Sequence, residues 1–231
     1  MSGFHVKSSA EPFPELHGHG LLLRPWDADS DVDVAAWLRG VSDPEFQRWN
    51  TPLRPVRDID SARASLRSRT ESAAEGTGVS FCVMAESGGT ALGHIGINEI
   101  DHVMRVARIG YWVLPEARGH GVATRALALA SRFAFGAIRL HRLELGHALG
   151  HEASCRVAER CGFRYEGTLR GAMFEAGRHD TFRDVHLHAR VATDPVPVLP
   201  DADTAPNADA DADADADTDT DTDTRTSADP A

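Results

Sequence analysis

The sequence predicts one α/β domain with a mixed, largely antiparallel sheet, and three observations carry this prediction. Between residues 20 and 190, short apolar runs typical of strands alternate with segments whose apolar residues recur at helical spacing. Two strand-like runs flank a Gly-Gly pair at residues 88–89, which is typical of an antiparallel hairpin. Apolar residues in the segment 122–133 are spaced 4, 3 and 4 positions apart, as on one face of a helix.

The other elements are predicted from the same patterns. A short apolar run stops at Pro25, which predicts a strand before it. Several Asp residues precede the first helical segment, as is typical of helix N-termini. Gly162 is placed to end a helix in the left-handed conformation. The predicted elements are strand 20–24, helices 32–38 and 58–71, strands 80–85, 91–100 and 105–114, the helix from residue 122, strand 141–146, helix 152–161 and strands 163–174 and 181–189.

Composition argues against a nucleic-acid or membrane partner. The formal net charge is −11, but 11 Asp and one Arg in residues 201–231 give −10 of it and leave −1 for the first 200 residues. A nearly neutral domain offers no bulk electrostatic basis for nucleic-acid binding. No apolar stretch is long enough to span a membrane, and residues 1–10 lack the apolar core of a secretory signal, so a cytoplasmic location is expected.

The chain is predicted to have three parts: a flexible N-terminus (1–17), a folded domain (18–192) and a disordered acidic tail of Asp, Ala and Thr (193–231). The repeats of the tail have almost no apolar side chains to offset the entropy of ordering, and their like charges repel one another. Three prolines at positions 195, 197 and 200 mark the end of the folded part.

Residues 111–124 run from a strand through a glycine-containing turn into a helix, which suits an anionic ligand. The first amides of a helix have no intrahelical partner, and the helix dipole adds positive potential there. Gly119 and Gly121 let a diphosphate approach the backbone, and Arg118 supplies a planar cationic donor. The absence of lysine argues against a Walker loop, and Thr124 breaks a dinucleotide fingerprint, whereas a plain glycine turn stays open as an alternative.

The pattern Arg118-x-x-Gly121-x-Ala123 resembles the pyrophosphate motif of the GCN5-related N-acetyltransferases (GNAT). The wider sequence, over residues 18–190, resembles the RimJ/RimL-type branch, the ribosomal-protein N-terminal acetyltransferases. The segments that carry the resemblance, in order, are 21–26, 43–49, 93–96, 109–112, 118–124, 153–154, 157–163 and 165–167. The resemblance implies the GNAT fold: a mixed, mostly antiparallel sheet of six to seven strands with splayed central parallel strands, and about four helices.

The resemblance also implies acetyl-CoA as the co-substrate. In this family the pantetheine arm lies in the opening between the splayed strands and pairs with main chain, as an added strand would. The backbone groups of Trp112, Val113 and Leu114 are therefore assigned to the arm, and an amide at the opening polarises the thioester carbonyl. The diphosphate is assigned to Arg118, Gly119, His120, Gly121, Val122, Ala123 and Thr124.

The helix after the opening usually begins Asn-x-x-Ser in this family, and here it begins His151-Glu-Ala-Ser154. Ser154 matches the residue that protonates the departing thiolate, although serine at such a position also caps helices. His151 departs from the pattern but keeps a ring nitrogen that can accept a hydrogen bond from the cofactor. Arg156 either reaches the phosphates or lies on a solvated helix face.

Arg108 stands where relatives often carry the Glu that helps to deprotonate the amine. Arginine cannot act as a base at neutral pH. Glu99, on the preceding strand, is the nearest acidic alternative and is predicted as the base, with Glu175 behind it. Since an α-amine has a pKa of about 7.7–8.0 and lysine one of about 10.4, the lack of a strong base favours an α-amino acceptor. Trp49 and Arg108 are assigned to the acceptor side, with packing as the alternative for Trp49.

Twelve histidines raise the question of a metal. His147 and His151 form one pair and His186 and His188 another, but neither pair has an evident third ligand in the sequence. A stoichiometric metal needs three or four ligands with a second shell, so no metal is expected.

The sequence therefore predicts an N-acetyltransferase that moves the acetyl group from acetyl-CoA to a primary amine by direct attack in a ternary complex. The acceptor is a protein N-terminal α-amine or a small-molecule amine, and the enzyme is a monomer or a homodimer. An alternative from another class is a GNAT-fold module that binds acyl-CoA without transferase activity and serves regulation or assembly. Transfer of a longer acyl group also stays open.

Overall fold

The computed structural model describes residues 14–199. Predictions for residues 1–13 and for the acidic tail from residue 200 lie outside the described residues. Within the described part, eight strands form one sheet with the order β1-β2-β3-β4-β5-β6-β8-β7. The strands are β1 (Leu16–Gly18), β2 (Leu21–Pro25), β3 (Val79–Ala85), β4 (Ala91–Asp101), β5 (Val106–Val113), β6 (Arg142–Ala148), β7 (Arg164–Phe174) and β8 (Phe182–Val191).

Five α-helices accompany the sheet in the same residues: α1 (Asp31–Ser42), α2 (Pro44–Trp49), α3 (Ile59–Ala74), α4 (Val122–Gly136) and α5 (Glu152–Arg160). None of the helices between residues 14 and 199 is long and apolar enough to cross a membrane. The predicted fold class is confirmed, and two short elements add to the predicted counts. One is β1, which pairs with β2 over three residues. The other is α2, which begins with Pro44 after the capping carboxylate of Asp43.

The alternation of side chains along β3 divides the core between the two faces of the sheet. Phe81 and Val83 pack on the face covered by α4 and α5, where Phe133 meets the Phe81 ring edge-on at 5.7 Å between centroids. Cys82 points to the opposite face, which is covered by α1 and α3. Successive residues of a strand point to opposite faces, so the sheet at β3 is covered by helices on both faces.

An opening between β5 and β6 interrupts the sheet at its centre. These two strands are parallel and pair over three positions only, from Val106 opposite Arg142 to Arg108 opposite Glu144. Beyond that point β5 continues to Val113 while still pairing with β4 on its other side. Beyond residue 108 the edge of β5 therefore makes no strand pairing with β6, as the splayed arrangement predicts.

Candidate active site

A cavity of about 380 Å³ lies at this opening. Its volume falls within the range of roughly 300–1,000 Å³ that is typical of small-molecule sites. The cavity brings together α2, the end of β5, the loop before α4 and the first turns of α5. Its lining residues are Glu45, Phe46, Trp49, Asn50, Tyr111, Trp112, Val113, Ala117, Arg118, Gly119, Gly121, Val122, Ala123, His151, Ala153, Ser154, Arg156 and Val157.

The loop before α4 presents backbone rather than side chains to the cavity. Gly119 and Gly121 have φ angles of +75° and +67°, in the left-handed region that favours glycine. Gly121 is the N-cap of α4 and supplies no side-chain acceptor for the amides of the first turn. Those amides, together with the helix dipole, form the kind of anion site predicted for the diphosphate.

Arg118 joins this loop to α2. Its Nε donates to the backbone carbonyl of Val113 at 3.1 Å, and its Nη2 donates to the Asp43 carboxylate. The same carboxylate accepts from the backbone N–H groups of Glu45 and Phe46 at 3.1 and 3.3 Å, and so caps α2. Because Asp43 offsets the charge of Arg118, the guanidinium positions the loop in addition to facing the cavity.

The Ser154 hydroxyl lies at the mouth of the opening. Ser154 is 6% exposed, and its Oγ lies 2.9 Å from the hydroxyl oxygen of Tyr111 on β5. The N-cap of α5 is His151, and no side chain caps the helix, so Ser154 is three positions too far along to serve as the cap. The hydroxyl is therefore free of a capping role and is coupled to a second hydroxyl in the cavity wall.

Tyr111 is the functional candidate that the sequence analysis missed. It belongs to the segment 109–112 that carries the resemblance, but only the backbone of its neighbours was assigned there. Consecutive strand residues point to opposite faces, and the Trp112 ring is directed away from the cavity, where its centroid lies 6.1 and 5.7 Å from those of Trp26 and Trp37. This alternation is the signal that places the Tyr111 hydroxyl on the cavity side.

His151 and Trp49 close one end of the cavity. Their rings stack with centroids 4.5 Å apart and planes 5° from parallel. Burial lowers the pKa of His151 to about 4, and the positive charges of Arg183 and Arg48 add to that decrease. The imidazole is therefore neutral near pH 7. The Trp49 indole N–H donates to the Glu45 carboxylate, which fixes the ring at this position.

Other predicted cofactor residues divide between the cavity and its surroundings. Arg156 lines the cavity, and its Nη1 lies 3.5 Å from a carboxylate oxygen of Glu152. Leu114 is buried beneath the cavity and donates its amide to the Leu92 carbonyl at 2.9 Å. His120 is exposed, and Thr124 is buried, so neither side chain belongs to the cavity wall.

Glu99 and Arg108 are not among the cavity-lining residues. They pair with each other at 3.1 Å, and their side chains are 65% and 64% exposed. Glu99 has a φ of +52° at the irregularity where β4 loses register with β5. Its role as the base stays a prediction. Glu175 lies nearer to the acceptor end, since its carboxylate is 3.8 Å from Arg183, whose guanidinium lies over the Trp49 ring.

One member of the first predicted histidine pair lies beside both members of the second. His147, His186 and His188 meet with Cys155 in one cluster, in which one ligand atom of each residue lies within 4.8 Å of the others. The premise that the pairs lack further ligands was therefore wrong. The partners were missed because the antiparallel pairing of β6 with β8 and the packing of α5 join residues that are distant in sequence.

A sequence profile of the acetyltransferase (GNAT) domain matches residues 20–164. The chain belongs to the GNAT acetyltransferase family. The predicted enzyme class, an acetyl-CoA-dependent N-acetyltransferase, is thereby confirmed for this domain, and so is the RimJ/RimL-type branch.

Three relatives illustrate the similarity. The ribosomal-protein-serine acetyltransferase of Escherichia coli (strain K12) is 35% identical over 101 residues, or 43% of this chain and 54% of that protein. The spermidine N(1)-acetyltransferase of the same strain is 32% identical over 96 residues, or 42% of this chain and 52% of that protein. The chain thus spans about half the length of these two curated relatives. The structure of Mycobacterium smegmatis RimJ in complex with CoA-disulfide has a TM-score of 0.67 and 28% identity, and the match covers 78% of this chain and 86% of that one.

Proposed function

We propose that residues 18–192 acetylate α-amino groups with acetyl-CoA bound at the opening between β5 and β6. The observation that carries this proposal is the pair of hydroxyls, Tyr111 and Ser154, held 2.9 Å apart beside that opening. Ser154 stands on the wall of the same cavity as the glycine loop. A proton donor and an anion-binding loop in one cavity suit a ligand that carries both a diphosphate and a departing thiolate.

Main-chain groups on either side of the Ser154 hydroxyl can bind the cofactor. Past Arg108, β5 does not pair with β6, so its edge near Val113 can pair with the amide groups of the pantetheine arm, as an added strand would, through groups other than the Val113 carbonyl that Arg118 occupies. The amides that follow Gly121 at the start of α4 face the diphosphate. Mycobacterium smegmatis RimJ, which shares this fold, was solved in complex with CoA-disulfide.

In the proposed reaction the neutral amine nitrogen attacks the thioester carbonyl carbon, and the carbon–sulfur bond breaks. Ser154 donates its hydroxyl proton to the departing sulfur, and the Tyr111 hydroxyl, in hydrogen-bond contact, donates to the Ser154 oxygen. The proton lost by the attacking nitrogen returns through water to the Tyr111 oxygen, so the enzyme is regenerated and the products are an N-acetyl amine and the free thiol. No covalent acetyl-enzyme is needed, because both substrates are held in one cavity.

The charge around Trp49 favours an α-amine over a polyamine. The guanidinium groups of Arg48 and Arg183 lie 4.9 and 5.8 Å from the Trp49 ring centroid. Glu45 and Glu175 balance them, so this end of the cavity has no excess of negative charge to attract a polycation. At pH 7.5 about a third of an α-amine is neutral, against about 0.1% of a lysine side chain, so an α-amine needs no strong base.

A panel of three acceptors tests the proposal: a lysine-free peptide with a free N-terminus, an N-acetylated peptide with one lysine, and spermidine. Release of free CoA thiol measures turnover, and mass spectrometry locates the added acetyl group. We expect the free N-terminal peptide to have the highest kcat/KM, by at least tenfold. A preference for the lysine peptide or for spermidine would refute the α-amine assignment. Binding of acetyl-CoA without thiol release for any amine would favour the non-transferring alternative.

A further inference from the structure

A second polar cluster lies next to the acetyl-transfer cavity, where the His147 ring centroid is 6.0 Å from that of His151 in the cavity wall. His147 on β6 is directly opposite His186 on β8 in the antiparallel register. His188 is two residues further along β8 and therefore points to the same face of the sheet as His186. Cys155, on α5, contacts the histidines on this face of the sheet. Three elements that are distant in sequence thus bring together four side chains that carry nitrogen or sulfur ligand atoms.

The distances within the cluster are those of atoms that share a ligand. The Cys155 sulfur lies 3.4 Å from Nε2 of His147 and 3.4 Å from Nδ1 of His186. In a tetrahedral zinc site with bonds of about 2.3 Å to sulfur and 2.0–2.1 Å to nitrogen, sulfur and nitrogen ligands are about 3.6 Å apart. One ligand atom from each of the four residues lies within 4.8 Å of all the others. Movements of roughly an ångström would therefore bring all four to coordination distance.

Burial of unpaired nitrogen is the second observation. His188 is 0% exposed, and neither of its ring nitrogens has a partner that meets hydrogen-bond geometry among residues 14–199. Buried polar atoms in native proteins are almost always satisfied, and a lone pair aimed at a group of other donors is satisfied by a metal ion. A backbone interaction with Phe163 acts on one ring nitrogen of His188 outside strict hydrogen-bond geometry. The other ring nitrogen is a buried ligand atom without a partner among the described residues.

The second ring nitrogen of His147 makes the hydrogen bond that is typical of a metal-binding histidine. Its Nδ1 lies 3.1 Å from the backbone carbonyl of Ala148, to which it donates, and this leaves Nε2 with its lone pair directed at Cys155. Histidines that bind metals almost always donate their second ring N–H to such an acceptor.

We propose that His147, Cys155, His186 and His188 bind one Zn²⁺ ion in a closed tetrahedral site. The ligand set of three imidazoles and one thiolate matches the preference of zinc for nitrogen and sulfur. With four protein ligands the site has no open position, which assigns it a structural rather than a hydrolytic role. Zinc binds cysteine as the thiolate, so binding at Cys155 releases one proton. The ion ties α5 to β6 and β8.

Metal binding by the tag-free, full-length chain tests this proposal without reference to catalysis. The protein is stripped with a chelator and titrated with Co²⁺, whose tetrahedral thiolate complexes absorb strongly in the visible and near ultraviolet. We expect one Co²⁺ per chain with a sulfur-to-cobalt charge-transfer band, and displacement of Co²⁺ by one equivalent of Zn²⁺. A saturating excess of Zn²⁺, about a hundredfold over its Kd, is expected to raise Tm by about 5–10 °C.

Two matched comparisons assign the ligands. Cys155→Ser and His188→Gln are expected to weaken Co²⁺ binding at least tenfold, and Cys155→Ser to remove the charge-transfer band. His102→Gln, in the exposed turn after β4, is the control that leaves binding unchanged. In the unaltered protein, Zn²⁺ is expected to slow alkylation of Cys155 at least tenfold, as read by mass spectrometry, which needs no variant to fold. Equal Co²⁺ affinity in all three variants would overturn the proposal. So would a rate of Cys155 alkylation that Zn²⁺ does not change.

Discussion

Replacing Ser154 with alanine is the most direct perturbation of the proposed chemistry. The substitution removes the hydroxyl that donates to sulfur but leaves the helix cap intact, because the cap of α5 is His151. Loss of a general acid costs 10²–10⁴-fold in rate. Water can enter the space of the missing hydroxyl and supplies a poorer proton donor. We therefore expect the lower end of that range, a fall in kcat of about 10²-fold, or about 2.7 kcal/mol in activation free energy.

A double-mutant cycle with Tyr111→Phe separates relay from packing. If the two hydroxyls act in series, the double variant is only slightly slower than the Ser154→Ala enzyme, since effects of groups that act as a unit are not additive. The assay is CoA thiol release at saturating acetyl-CoA with the N-terminal peptide, and KM for acetyl-CoA is expected to stay within about threefold of the wild-type value.

Ser131→Ala provides the matched control, because Ser131 is a fully buried serine of α4 whose hydroxyl has no partner among the described residues. Its removal is expected to leave kcat unchanged. Wild-type kcat in the Ser154→Ala enzyme, with unchanged acetyl-CoA binding, would refute the assignment of Ser154 as the acid. An equal loss in the Ser131→Ala enzyme would show that the effect is one of packing.

Three further predictions follow from contacts outside the hydroxyl pair. Gly40→Ala is expected to lower Tm, because the added methyl group would lie 2.3 Å from the Trp112 ring. The cost of this overpacking, about 1–3 kcal/mol, outweighs the gain in helix propensity, which is below about 1 kcal/mol. An unchanged Tm would contradict this packing. Glu99→Gln is expected to keep the wild-type pH profile of kcat/KM for an α-amine, because Glu99 is 65% exposed and paired with Arg108; a tenfold fall would establish Glu99 as the base. Burial and the nearby positive charge of Arg69 hold the pKa of His94 well below 6.5. The unfolded chain therefore binds a proton that the folded chain excludes, and stability falls below pH 6.5 by up to about 1.4 kcal/mol per pH unit for that proton. Urea unfolding at pH 7.5 and 5.5 measures the loss, which should be smaller in His94→Gln.

Features encoded in short segments could be predicted from the sequence. The glycine loop is one, because left-handed φ angles at Gly119 and Gly121 and a helix start after them depend on neighbours in the chain. The length and face of α4 follow from the spacing of its apolar residues. Ser154 was identified by its offset from His151, although the resemblance alone could not distinguish a cap from a cavity residue. The structure supplied that distinction, since the cap position is occupied by His151 itself.

The four-residue cluster could not be predicted, because it depends on a register that no local pattern encodes. His147 meets His186 only through the antiparallel pairing of β6 with β8, and a slip of one residue would turn either side chain to the other face. Cys155 and Ser154 are adjacent in α5, yet successive helix residues diverge by about 100°, so Ser154 reaches Tyr111 while Cys155 reaches the histidines. One helical turn therefore holds the proposed acid on one side and the proposed metal ligand on the other. A metal that fixes Cys155 also restricts the position of Ser154, so removal of the ion should lower kcat more than it raises KM for acetyl-CoA.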